Sequence, residues 1–194
     1  PSGYAGDITR TFSVGAPMTS QQRAIYDIVD QAKTDCIAAL RPGITYRSVH
    51  DQAGKIIASG LKALGLMQGD VDEAVAAGAH ALFMPHGLGH LIGLDVHDME
   101  DLGEDLVGYD ATTKRSQQFG TRNLRLGREL QAGFALTVEP GIYFIPPLMD
   151  RWRADGTCAE FINFGALDAY RNFGGIRLED DVVVTAIGCR VLGE

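Results

Sequence analysis

Three of the chain's five histidines, His86, His90 and His97, fall within the stretch FMPHGLGHLIGLDVHD, residues 83–98. An imidazole can ligate a metal, carry a proton or donate to a developing negative charge, so three in one short stretch are a concentration of chemical capacity. His86 and His90 are four apart, the spacing of one helix face. However, Gly87, Gly89 and Gly93 interrupt the stretch, and each costs about 1 kcal/mol relative to alanine in a helix. Glycines instead let the backbone turn sharply or pass close to another group. From His90 onward, HLIGLDVH alternates like a strand. His90 and His97 are an odd number apart, so a straight strand would point them to opposite faces. If both serve one site, a bend is required, and Gly93 is placed to allow it. A loop with purely structural histidines is the alternative.

Three carboxylates break otherwise apolar strand-like runs: Asp7 in GDITRTF, Glu139 after FALTV, and Glu179 between GIRL and VVVT. A carboxylate in such a position is costly to bury unless it is paired or bound to a metal. Each alone could instead lie on the polar face of its strand. Together with one imidazole they make an oxygen-rich donor set that suits manganese, cobalt or zinc and not a thiolate site. Two such ions bridged by carboxylates can activate a water and hold a carbonyl oxygen. Asp180 and Asp181 read as structural, solvated or paired with Arg177. Arg10, Arg125 and Arg177 lie near these motifs, where an arginine is more often an ion-pair partner than a substrate clamp. Trp152 and Tyr143 read as core or pocket wall.

The elements that must position these groups follow from periodicity. Residues 7–14, DITRTFSV, are rich in β-branched types and predict a strand. Thr19 with Gln22 three places on forms a capping box. Behind it Ile25, Ile28, Val29, Ala32, Cys36 and Leu40 share a helical face, closed by Arg-Pro-Gly at 41–43. A second amphipathic helix carries Val49, Ala53, Ile56, Ile57, Leu61 and Leu64, and a short third helix is expected near 70–79. Residues 99–122 read as an irregular polar loop. ALTVEPGIYF (135–144) and GIRLEDDVVVT (175–185) each predict a strand, with a partly helical excursion between them. A strand, helices and later strands indicate an α+β fold with helices packed on one curved sheet.

Composition narrows the classes. The 194 residues suffice for one domain with a real core. No apolar run is long enough to span a bilayer. A net charge of -8, from 17 basic against 25 acidic residues, argues against a nucleic-acid partner. Cys36, Cys158 and Cys189 are odd in number and widely spaced, which fits a reducing compartment.

GDITRTF, HGLGHLIGLDVHD, TVEPGIYF and GGIRLEDDVVVT resemble, in order and wording, the motifs of the pita-bread metallopeptidases. The similarity is greatest to their proline-specific branch, Xaa-Pro dipeptidase (prolidase) and Xaa-Pro aminopeptidase. This resemblance implies an α+β pita-bread (creatinase/aminopeptidase-like) fold, a curved and mainly antiparallel sheet with helices on its outer face and the first strand truncated. It implies that residues 1–194 are a catalytic domain, with the family's first ligand aspartate and an N-terminal domain lying upstream. By motif match, Asp7, His90, Glu139 and Glu179 are metal ligands, Asp7 and Glu179 being the bridges between two divalent ions. Manganese is the expected metal, with cobalt or zinc as alternatives. Glu139, His97 and His86 match catalytic positions, and Arg125, Arg177, His86 and His97 substrate-binding ones, Arg125 meeting a free carboxylate. The implied reaction is hydrolysis of the bond before proline in a di- or oligopeptide, with the dipeptidase favoured over the aminopeptidase. A cytoplasmic homodimer is expected of the intact protein. A non-catalytic binding module on the same fold is the alternative from another class.

Overall fold

The computed structural model describes residues 3–193. Helix α1 runs Ser20–Ala39 and opens with the predicted capping box: Gln22 N–H donates to Thr19 Oγ1 at 3.2 Å, and Thr19 N–H to Gln22 Oε1 at 2.9 Å. It buries Ile25, Val29, Ala32 and Cys36, and ends at Leu40 just ahead of Arg41-Pro42. Helix α2, Tyr46–Ala63, is capped by Thr45 and buries Tyr46, Val49, His50, Ala53, Ile57 and Leu61. The short α3, Val71–Ala76, follows, and a 3-10 turn at Ala79–Leu82 leads into the histidine stretch. α1 packs on α2 and on the strands.

Each of the two long predicted strands is divided at its carboxylate. β1 (Ala135–Val138) and β2 (Gly141–Phe144) flank Glu139-Pro140. β3 (Gly174–Arg177) and β4 (Asp180–Val184) flank Leu178-Glu179. β1 pairs antiparallel with β4, Val138 opposite Asp180, and β2 with β3, Gly141 opposite Arg177. The two interruptions therefore lie side by side, joined by Leu178 N–H to Pro140 O at 3.3 Å. Pro140 has no N–H to give a ladder, so the paired strands leave one sheet and enter another at this level. β5 (Cys189–Val191) completes the order β1-β4-β5. Between the sheets' strands lies the expected excursion, with helices α5 (Pro146–Asp155) and α6 (Phe164–Leu167).

Three local expectations are corrected. Residues 7–14 are not a strand; they keep only the bridge Thr9↔Glu179. Side chains take the carbonyls that a ladder would use: Thr11 Oγ1 donates to Arg177 O at 2.8 Å and Arg10 Nη1 to Glu179 O at 2.6 Å. HLIGLDVH pairs only at its start. Glu139 N–H donates to Leu88 O, Thr137 N–H to His90 O and Ile92 N–H to Ala135 O, at 2.8–3.1 Å, and the chain then bends away at Gly93. The polar segment 99–122 is not wholly irregular. It contains 3-10 turns at Glu100–Leu102 and Thr121–Asn123 and a short helix, α4 (Glu104–Gly108).

Candidate metal centre

The antiparallel pairing along β1 brings His90 beside Glu139. The two residues share Thr137, whose Oγ1 accepts from His90 N–H at 3.1 Å and lies 3.4 Å from Glu139 Oε1 as a donor. Tyr46 Oη donates to Thr137 O at 2.6 Å and anchors the strand from α2. This close passage needs Gly89, because a Cβ there would stand 2.1 Å from Thr137 O. The bend at Gly93 is equally demanding: its Cβ would meet the Asp98 carboxylate at 2.6 Å. Asp98 N–H donates to Leu91 O and closes the loop. The closure brings His97 back to His90, their rings edge-to-face with centroids 4.3 Å apart.

Ligand atoms of Asp7, His90 and Glu179 all lie within 4.8 Å of one another. His90 Nε2 is 3.5 Å from Asp7 Oδ2 and 3.5 Å from Glu139 Oε1. The other ring nitrogen, Nδ1, is 3.0 Å from Leu91 O. A carbonyl only accepts, so the proton sits on Nδ1 and the Nε2 lone pair faces the carboxylates. Asp7 is held by its own N–H donating to Asp181 Oδ2 at 3.0 Å, and Glu179 Oε2 accepts from Thr9 Oγ1 at 2.5 Å.

The cluster carries more negative charge than its protein partners offset. Burial, reinforced by the charge of Glu179, pushes the Glu139 carboxyl up to about 8. Burial likewise raises Glu179 and Asp181, and lowers His90. Arg177 is the nearby cation, with Nη1 3.8 Å from Glu139 Oε2 and Nε 3.8 Å from Glu179 Oε2. Glu179 Oε1 and Asp181 Oδ1 are buried without a hydrogen-bond partner. Buried carboxylate oxygens without donors are unstable unless a cation supplies the missing charge. The donor set of oxygens and one imidazole therefore fits a hard or borderline divalent ion.

Above this cluster is a cavity of about 400 Å³ walled by His86, His90, His97, Arg125, Glu139, Tyr143, Ile145 and Arg177, among others. The candidate ligand, catalytic and substrate-binding residues fall in two adjoining groups that share His90 and Glu139, whereas Trp152 packs in the core against Phe119. His86 Nδ1 lies 2.7 Å from Gly87 O, which leaves Nε2 as an acceptor, and its ring stands edge-on to Tyr143. The expected pairing of Asp180 or Asp181 with Arg177 is corrected. Asp180 pairs with Lys33 at 2.8 Å and Arg10 at 2.5 Å, while Asp181 holds the Asp7 backbone. Strand alternation turns Asp180 to the face opposite Asp181, while the Asp7 backbone takes up Asp181.

Sequence reasoning missed Thr137, Tyr46 and Glu100. Thr137 was legible in principle, being two residues before Glu139 and so on the same face of its strand. Nothing in the sequence marks Tyr46 or Glu100.

The sequence profile of metallopeptidase family M24 matches residues 2–186. The Xaa-Pro dipeptidase of Homo sapiens is 42% identical over 189 residues, 97% of this chain and 37% of that protein. A probable Xaa-Pro aminopeptidase of Sordaria macrospora is 40% identical over 185 residues, 95% of this chain and 38% of that one. Among solved structures, the zinc-substituted aminopeptidase P of E. coli in complex with product is 39% identical, with a TM-score of 0.69. The proline aminopeptidase P II of Yersinia pestis is 38% identical, with a TM-score of 0.70; both matches cover 98% of this chain and 35% of the other. The likeness carries the pita-bread fold over the described residues. The chain spans about 37% of the length of the curated dipeptidases it matches.

Proposed function

The chain belongs to metallopeptidase family M24, and from that membership we propose that the protein it forms part of is an exopeptidase that hydrolyses the bond before proline. Xaa-Pro dipeptides are the favoured substrates, and residues 1–194 are its catalytic domain. The observation that carries the reading is the convergence of Asp7, His90 and Glu179 within 4.8 Å, with Glu139 3.5 Å from His90, beneath a cavity lined by two arginines. Two divalent ions held by Asp7, His90, Glu139 and Glu179 would polarise the scissile carbonyl and make water nucleophilic near neutral pH.

The chain's own residues do the rest. Glu139 takes the proton of the attacking water and passes it to the leaving prolyl nitrogen. His97 donates to the carbonyl oxygen as negative charge develops there. His86, with its proton engaged on Gly87 O, offers Nε2 as an acceptor and so holds a substrate N–H rather than the oxyanion. Arg177 offsets the charge of Glu139 and Glu179. Arg125 receives the free carboxylate of a dipeptide. Tyr143 and Ile145 give the pocket an apolar wall, which suits a tertiary amide that has no N–H to satisfy.

Manganese is the proposed metal, supported by the oxygen-rich donor set, with cobalt or zinc as alternatives. A cytoplasmic site is supported by three free cysteines. No helix among the described residues is long and apolar enough to cross a membrane. A homodimer is proposed for the intact protein on the resemblance alone. A second reading, Xaa-Pro aminopeptidase, is supported by the solved relatives named aminopeptidase P. The test replaces His90 by Ala: bound manganese, counted by elemental analysis, and hydrolysis of Gly-Pro are both expected to disappear. Retention of full metal content with unchanged hydrolysis would end the assignment.

A further inference from the structure

Arg125 enters the cavity wall with its charge already engaged. Its Nη1 donates to Glu100 Oε2 and lies 3.4 Å from Glu104 Oε2. The other Glu104 oxygen is held by Arg115, whose Nε is 2.5 Å from Asp105 Oδ1. Two arginines against three carboxylates leave this network with one net negative charge. Glu100 Oε2 is also 4.0 Å from His97 Nδ1. One carboxylate oxygen thus stands between the two groups assigned above to the peptide's carboxylate and to its scissile carbonyl. The backbone is shaped to put it there. Met99, just before Glu100, has φ 61, a left-handed conformation that side chains other than glycine rarely adopt. Its own side chain is exposed, and the carboxylate of the residue that follows is turned inward to 17% exposure.

We propose that Glu100 sets the preferred substrate length by competing with a peptide's free C-terminal carboxylate for Arg125. This rests on the reading of Arg125 as the carboxylate receptor. Arg125 Nε and Nη2 have no hydrogen-bond partner among the described residues, so a dipeptide can still reach the guanidinium. It meets a cation already neutralised and a like charge beside it. A longer peptide places an uncharged carbonyl at that point and meets no such penalty. Glu100 therefore grades the affinity for dipeptides downward relative to longer substrates instead of excluding them.

Glu100→Gln keeps the side chain's volume and an acceptor for Arg125 while removing the charge. The probes are Gly-Pro and its C-terminal amide, which differ only in the carboxylate. The ratio of kcat/KM for acid over amide should rise roughly two- to fivefold, the scale of a partly exposed charge pair. The change should lie in KM, with kcat held. Calorimetric binding of the two peptides should show the same shift in affinity ratio without turnover. An unchanged ratio overturns the proposal; a fall overturns it too and makes Glu100 a positioning residue for Arg125. If the intact protein hydrolyses neither peptide, the peptidase reading fails, and the ratio of binding constants still decides the role of Glu100. Glu100→Ala repeats the measurement should the glutamine perturb folding.

Discussion

His80 provides a sharp test of how this core is built. It sits on the Ala79–Leu82 turn, fully buried, with both ring nitrogens unpartnered, and its ring stands 6.1 Å from that of His50, which is buried in the same state. Burial lowers the His80 imidazole from the ordinary 6.5 to about 4 and lowers His50 in the same direction. Both are therefore neutral in the folded protein where the unfolded chain would bind protons. Below pH 6.5 the unfolded state takes up more protons than the native one, so the stability that His80 allows above pH 6.5 is lost as pH falls toward 4. A gap from 6.5 to about 4, at about 1.4 kcal/mol per pH unit, makes that loss roughly 3–4 kcal/mol in full, most of it reached by pH 4.5. Leu in place of His80 removes its titration and its two unpartnered nitrogens. Urea unfolding of the H80L variant at pH 7.5 and 4.5 should show a stability loss smaller by about 2–3 kcal/mol than that of the unsubstituted protein. Equal losses in the two proteins would mean that His80 is protonated or partnered in the native state, and the reasoning from burial would be wrong.

Thr137→Val leaves the buried His90 N–H without its acceptor and Glu139 without its donor. The expected cost is about 2 kcal/mol, or roughly 4–8 °C in Tm for a chain of this size. A metal affinity weaker by about ten- to a hundredfold should accompany it in equilibrium dialysis; an unchanged Tm and affinity would show that Thr137 does not couple the two ligands. Asp180→Asn removes the partner shared by Lys33 and Arg10. A loss of roughly 1–3 kcal/mol is expected in chemical denaturation at pH 7. These partners, working against burial, hold the Asp180 carboxyl below its ordinary range, so its contribution is present above that range and fades as pH falls through the depressed value. The difference between D180N and the unsubstituted protein should shrink accordingly in strong acid.

Local chemistry was readable without coordinates wherever a short segment decides its own conformation. The Thr19–Gln22 capping box and the buried faces of α1 and α2 stand where periodicity put them, because a helix satisfies its own backbone and needs neighbours only for its apolar stripe. The interrupted strands were read less well. Each looked like one continuous run. Glu139-Pro140 and Leu178-Glu179 are short breaks that become meaningful only when they lie side by side, and cross-strand register is not written in either segment alone. The segment at 7–14 had strand composition, but Thr11 and Arg10 side chains occupy the carbonyls it would have used, a competition visible only against β3 and the Leu178-Glu179 break.

By itself, the sequence determined which residue types were available: three carboxylates in apolar surroundings, three histidines spaced by glycines, and an ordered set of motifs. It also determined that His90 and His97 could serve one site only through a bend. Tertiary structure decided what faces what. It put Asp7 against Asp181, turned Asp180 away toward Lys33 and Arg10, and set Glu100 between Arg125 and His97. The physical reason is the reach of the forces. Capping and helical periodicity act over a few residues. Charge pairing, desolvation and strand register act between segments far apart in the chain, and take a definite value only once packing has brought those segments together.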